Sequence, residues 1–118
     1  MGAYGEKYKK VMQGMAAVGA AVPEVMKGFS LVHHANGKDG ALSAKEKELI
    51  ALGIAIAIRC EGCIVCHVQD ALKAGASKKE IEETVGVAIL MGGGPSVIYG
   101  NEVLEILEEM TQLEDFAQ

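Results

Sequence analysis

Cys60, Cys63, Cys66 and His67 fall within eight residues, in the run Cys60-Glu61-Gly62-Cys63-Ile64-Val65-Cys66-His67, and they include every cysteine of the chain. Such a cluster points to thiol chemistry or metal binding, because structural cysteines scatter through a core. At the start of a helix, Cys60 and Cys63 would have Cα atoms about 5–6 Å apart, within disulfide reach. A helix start also presents unpaired N–H groups and the positive end of the macrodipole, and both favour a thiolate. A free cysteine, with a pKa of about 8.5, is only a few per cent ionised at neutral pH; lowering that pKa to ~7 makes about half of it nucleophilic. His67 lies one turn beyond Cys63 on the same face, where it can take the thiol proton or pair with the thiolate. Cys66 is turned about 60° the other way.

Three other readings use the same residues. Cys63-Ile64-Val65-Cys66-His67 spells the C-x-x-C-H of c-type haem attachment, which would need export and a second axial ligand such as a methionine. Cys60, Cys63, Cys66 and His67 are also suitable zinc ligands, although adjacent Cys66 and His67 diverge by about 100° on a helix. An oligomeric helical scaffold or partner-binding module with an inert motif is the non-enzymatic alternative.

The elements that must hold these residues read as helices throughout. Apolar residues recur at helical spacing over residues 3–20 (Val11, Met12, Met15, Val18). Pro23 opens a second helix that Asn36-Gly37 ends, with His33-His34 near its C-terminus. Ser43-Ala44-Lys45-Glu46 is a capping box that starts a third helix, running to about Arg59. A fourth helix starts near Cys63 and ends at Ala74-Gly75; Ser77-Lys78-Lys79-Glu80 caps a fifth that runs to about Met91. Pro95 opens a last helix, to about Met110. Nothing alternates with a strand-like period of two, so the expected fold is all-α, about six helices, one domain over residues 1–118.

The third helix is apolar all round (Ile50, Leu52, Ile54, Ile56, Ile58). A helix of that kind is buried on every side, and a chain this short has few helices to cover it. Neighbouring subunits are therefore expected to help, making a homo-oligomer. Residues 92–94, three glycines, suit close backbone approach; a phosphate-cradling role lacks the G-x-x-x-x-G-K-[ST] pattern. The methionines Met12, Met15, Met26, Met91 and Met110 read as core fillers.

Charge excludes one partner class. The net charge is -5, the wrong sign for nucleic acid. All 11 Lys and Arg precede residue 80, and the remainder carries only acids. That acidic segment reads as a solvated face, or as one that meets a basic surface of a neighbouring subunit. No apolar run reaches the ~18 residues of a membrane span. The amino-terminal residues read as an amphipathic helix, with Glu6, Gln13 and Gly14 breaking any signal-peptide pattern. Free thiols suit a reducing compartment, and the expected location is cytoplasmic.

Glu48 lies twelve residues before Cys60 on the third helix, or ~18 Å along a continuous helix. Only a fold-back of the third and fourth helices, or a neighbouring subunit, could bring it to the cysteines. Taken with Cys60-x-x-Cys63-x-x-x-His67, its position resembles the alkyl hydroperoxidase AhpD-like branch of the carboxymuconolactone decarboxylase superfamily, in its short single-domain form. The likeness extends to Gly40-Ala41-Leu42-Ser43, Lys47-Glu48-Leu49-Ile50, Ala71-Leu72-Lys73-Ala74-Gly75-Ala76 and Met91-Gly92-Gly93-Gly94-Pro95. The resemblance implies an all-α homo-oligomer, a hexamer ahead of a trimer, acting as a thiol peroxidase or disulfide oxidoreductase without metal or haem. It implies that Cys63 attacks the hydroperoxide, Cys60 resolves by closing the Cys60–Cys63 disulfide, and His67 and Glu48 complete the proton relay. An external dithiol, such as a lipoyl group or a thioredoxin-like protein, would re-reduce the pair. Cys66 departs from the family pattern, which usually has a small residue there. It is a small buried hydrophobe or a second resolving thiol.

Overall fold

The computed structural model describes residues 2–117, with side chains as far as residue 111. They form six helices and, among the described residues, no strand: α1 (Ala3–Ala21), α2 (Pro23–Asn36), α3 (Ala44–Ala57), α4 (Glu61–Lys73), α5 (Lys78–Gly92) and α6 (Gly94–Ala117). The all-α class is as the sequence predicts. α4 starts at Glu61 rather than Cys63, because Cys60 itself serves as its cap. α6 passes the expected end near Met110, since no glycine or proline follows Gly100 to stop it.

Both capping boxes form. Ser43 Oγ accepts the Glu46 N–H at 3.0 Å, and Glu46 accepts the Ser43 N–H at 2.9 Å. Ser77 and Glu80 repeat the arrangement at 3.0 and 2.8 Å. Each box satisfies donors that would otherwise be unpaired at a helix start. Lys45 and Glu80, 2.9 Å apart, tie the two starts together. At the other end, Gly92 lies against the Ala57 backbone. α3 and α5 therefore run side by side in the same direction. Gly92 has no side chain because Ser96 Oγ fills that space, and Gly93, at φ 69°, makes the turn into α6.

The core lies between α3, α4, α5 and α6. Leu52, Ile56, Ile64, Val65, Val68, Ile81, Val103 and Ile106 are fully buried in it. α1 crosses the start of α4, where Val11 packs on Gly62 and Lys7 bonds Glu61 at 2.8 Å. The Lys7 ammonium holds the Glu61 carboxyl below the usual range. Gly2 provides no side-chain cap for α1. Glu109 of α6 supplies one instead, accepting the Tyr4 and Gly5 N–H groups at 3.1 and 2.9 Å, while Glu105 accepts the Tyr4 hydroxyl at 2.8 Å. Part of the acidic segment is thus engaged by α1 of its own chain; Glu114 and Asp115 lie outside the described side chains.

A single chain leaves part of α3 uncovered, and three methionines depart from their expected place. α3 buries Leu52, Ala55 and Ile56, but Ile50, Ile54 and Ile58 stay exposed. One chain covers one side of that helix only. Met12, Met15 and Met91 are not core: they are 37, 38 and 78% exposed.

Candidate active site

α3 ends in a Schellman turn. The Arg59 N–H donates to the Ile56 carbonyl and the Cys60 N–H to the Ala55 carbonyl, both at 3.1 Å. Arg59 occupies the left-handed position at φ 62°, where glycine is usual and an L-residue costs about 1–2 kcal/mol. The very next residue, Cys60, caps α4: its Sγ accepts the Cys63 N–H at 3.2 Å. Cys60 therefore closes one helix and opens the next. Arg59→Gly is expected to stabilise the fold by about 0.5–1 kcal/mol, the relief of strain less the added freedom of glycine in the unfolded chain. A higher urea midpoint at unchanged slope is the readout.

Cys60 and Cys63 are joined as a disulfide, with Cα atoms 5.2 Å apart. Both occupy the first turn of α4, at the positive end of its dipole. α4 folds back along α3, and this brings Glu48 to His67 within one chain: Nδ1 lies 2.8 Å from Glu48 Oε2. The two side chains are only 25% and 19% exposed, so solvent screens them weakly. A carboxylate at Nδ1 holds the proton on that nitrogen and leaves the basic lone pair on Nε2.

Cys66 is the remaining, free cysteine and is partly buried. Burial, then the charge of Asp70, push its thiol up. It stays protonated where an ordinary thiol has begun to ionise, which suits a packed hydrophobe better than a resolving thiol. Iodoacetamide should therefore label Cys66 in the disulfide form slowly, with the rise in rate displaced to higher pH than for a free cysteine. Asp70→Asn should move that profile back toward lower pH; an unmoved profile would remove Asp70 as a cause.

Sequence reasoning missed Asp70. It follows His67 by three residues, an acid on the same face of α4, and that spacing could have flagged it. Glu48, His67 and Asp70 each put one ligand atom within 4.8 Å of the other two. One imidazole and two carboxylates are donors suited to zinc or manganese. This set differs from the one weighed from the sequence. Cys60 and Cys63 are bonded to each other, so neither a cysteine-based zinc site nor a Cys63–Cys66 haem attachment is assembled here.

The helices thus place a cysteine pair at the start of α4 and a carboxylate–imidazole pair behind it. Residues 23–105 match the carboxymuconolactone decarboxylase family, and the chain belongs to that family. A carboxymuconolactone decarboxylase family protein of Legionella pneumophila, solved in an apo form, shares 44% identity and a TM-score of 0.84 over 90% of this chain and 95% of its own. A Thermotoga maritima protein of the same family, described as having a possible involvement in antioxidative response, shares 29% identity and a TM-score of 0.72 over 80% and 96%. An uncharacterised protein of Cupriavidus necator is 33% identical over 86% of this chain and 89% of its own.

Proposed function

We propose that this protein is a thiol peroxidase or disulfide oxidoreductase of the alkyl hydroperoxidase type. The observation that carries the reading is the 2.8 Å pairing of Glu48, on α3, with His67, on the helix that Cys60 and Cys63 open. In the reduced protein, His67 Nε2 takes the Cys63 thiol proton. The helix start and the imidazolium then stabilise the thiolate. The thiolate sulfur attacks the terminal peroxide oxygen; the O–O bond breaks, the alkoxide leaves as the alcohol with that proton, and Cys63 becomes a sulfenic acid. The Cys60 thiol displaces its hydroxyl as water and closes the disulfide. A dithiol reductant of the lipoyl or thioredoxin-like kind returns both thiols and leaves as its own disulfide. Two electrons pass in each half of the cycle. The same exchange would reduce a partner disulfide. Glu48 is a positioning residue that fixes the tautomer of His67, and Asp70 adds a second carboxylate beside the ring. No metal or haem takes part. The possible involvement in antioxidative response described for the Thermotoga maritima relative fits this reading.

Counting thiols tests it. After reductant, alkylation should add three labels to the intact mass; after an equivalent of an organic hydroperoxide it should add one, with peptide mapping on Cys60 and Cys63. A count that peroxide does not change would sink the reading.

A further inference from the structure

The thiol chemistry needs one carboxylate beside His67, and the protein has two. Glu48 already pairs with the ring, at 2.8 Å. Asp70 is partly buried beside that pair, yet no ion pair among the described residues includes it. Two half-buried carboxylates around a single imidazole repel each other, and one ring, even protonated, offsets only one of them. A divalent cation would offset both.

The donors and their spacing suit such an ion. Glu48, His67 and Asp70 each offer one ligand atom, and the three atoms lie within 4.8 Å of one another. Around a tetrahedral ion with bonds of about 2.1 Å, ligand atoms sit about 3.4 Å apart, so no pair has to close by more than about 1.4 Å. The terminal torsions of Asp and Glu are soft and supply movement of that size. His67 and Asp70 stand three residues apart on α4, and Glu48 meets them from α3. Ligands from facing helices, two of them at i and i+3, are how helical bundles hold metals. One nitrogen and two oxygens fit zinc and its first-row neighbours, whereas calcium and magnesium take oxygen ligands. Three protein ligands leave a position for water. His67 and Glu48 keep 25% and 19% of their side-chain surface exposed, which gives the ion a way in.

We propose that Glu48, His67 and Asp70 form a binding site for a zinc-class divalent cation, and that its occupancy switches the thiol chemistry off. A neutral imidazole has one basic lone pair, whichever nitrogen holds it. A bound cation takes that lone pair, and the ring proton stays on the other nitrogen. His67 then has nothing with which to accept the Cys63 proton. Removing the ion restores the base. The binding site stands on the three side chains alone; the switch rests on the thiol peroxidase reading.

Calorimetric titration of zinc chloride into the disulfide form tests the site where Cys60 and Cys63 are bonded to each other. One ion should bind per chain. Asp70→Asn should weaken binding at least 10-fold, since even changes behind the ligands of a metal cost about 10–100-fold. Glu83→Gln, an exposed carboxylate on α5, should bind as wild type does. Both substitutions keep the side chain's shape, and both variants should keep wild-type helical circular dichroism. Cobalt in place of zinc should give visible d–d bands without the thiolate-to-cobalt band that ligation by Cys66 would add. In the reduced protein, zinc should abolish hydroperoxide turnover, and EDTA should restore it. Asp70→Asn, measured against its own zinc-free rate, should need at least 10-fold more zinc for the same inhibition. No saturable binding by the disulfide form, an unchanged affinity in Asp70→Asn, or a thiolate band on cobalt would overturn the site. Inhibition at the same zinc concentration in Asp70→Asn would overturn the switch, because zinc would then be acting on the thiols. Zinc binding by a protein with no zinc-free turnover would remove the peroxidase reading, and the switch with it, and uphold the site.

Discussion

Cys63→Ser should lose hydroperoxide turnover by roughly 10³-fold or more, because a serine hydroxyl stays un-ionised where the thiolate would attack. Cys60 is the cap, with its Sγ turned to the Cys63 N–H, and burial and then Asp70 push the Cys66 thiol up, against thiolate formation. Cys60→Ser should behave differently. It should consume one equivalent of peroxide and stop, with a sulfenic acid on Cys63 that dimedone traps at one label per chain. If Cys66 resolves Cys63 instead, that variant would lose two thiols and trap no dimedone. Cys63→Ser protein that turned over at the wild-type rate would remove Cys63 from the chemistry.

Leu52→Ala should cost about 2–5 kcal/mol, the range for a fully buried leucine whose site cannot collapse. Leu52 is wholly buried and follows Glu48 by one turn of α3. It fills the space that keeps α3 on the rest of the core, so its loss also loosens the support beneath Glu48. Against a typical total stability of 5–15 kcal/mol, the change should be large in a urea titration. Glu83→Ala, on the exposed side of α5, should stay within about 0.5 kcal/mol. A Leu52→Ala loss below about 1 kcal/mol would mean that α3 is not packed as described.

The contrast between local and distant determinants explains what could be read from the residues alone. Ser43 and Ser77 declare their helices because a capping box is settled within four residues. Pro23 and Asn36-Gly37 bound α2 for the same reason. The disulfide reach of Cys60 and Cys63 is likewise a property of one helical turn. Glu48 is another matter. Its distance to His67 depends on α4 folding back, which the packing of Ile64, Val65 and Val68 against α3 and α6 decides. Met91 looked like core because hydrophobicity alone does not say which side of α5 faces inward. Asp70 carried a signal, three residues after His67, but its meaning appears only once Glu48 arrives from α3.

The joint at Arg59 and Cys60 has a mechanical consequence. Two helices meet there without slack, so the relative phase of α3 and α4 is locked like that of two meshed gears. One residue inserted between Cys60 and His67 would turn the imidazole by about 100° and advance it 1.5 Å, away from Glu48. The turn at residues 37–43, which joins α2 to α3 on the surface, meets no such constraint and can vary in length. The interval from Glu48 to Cys60, and that from Cys60 to His67, are thus gear teeth: the counts themselves must be kept.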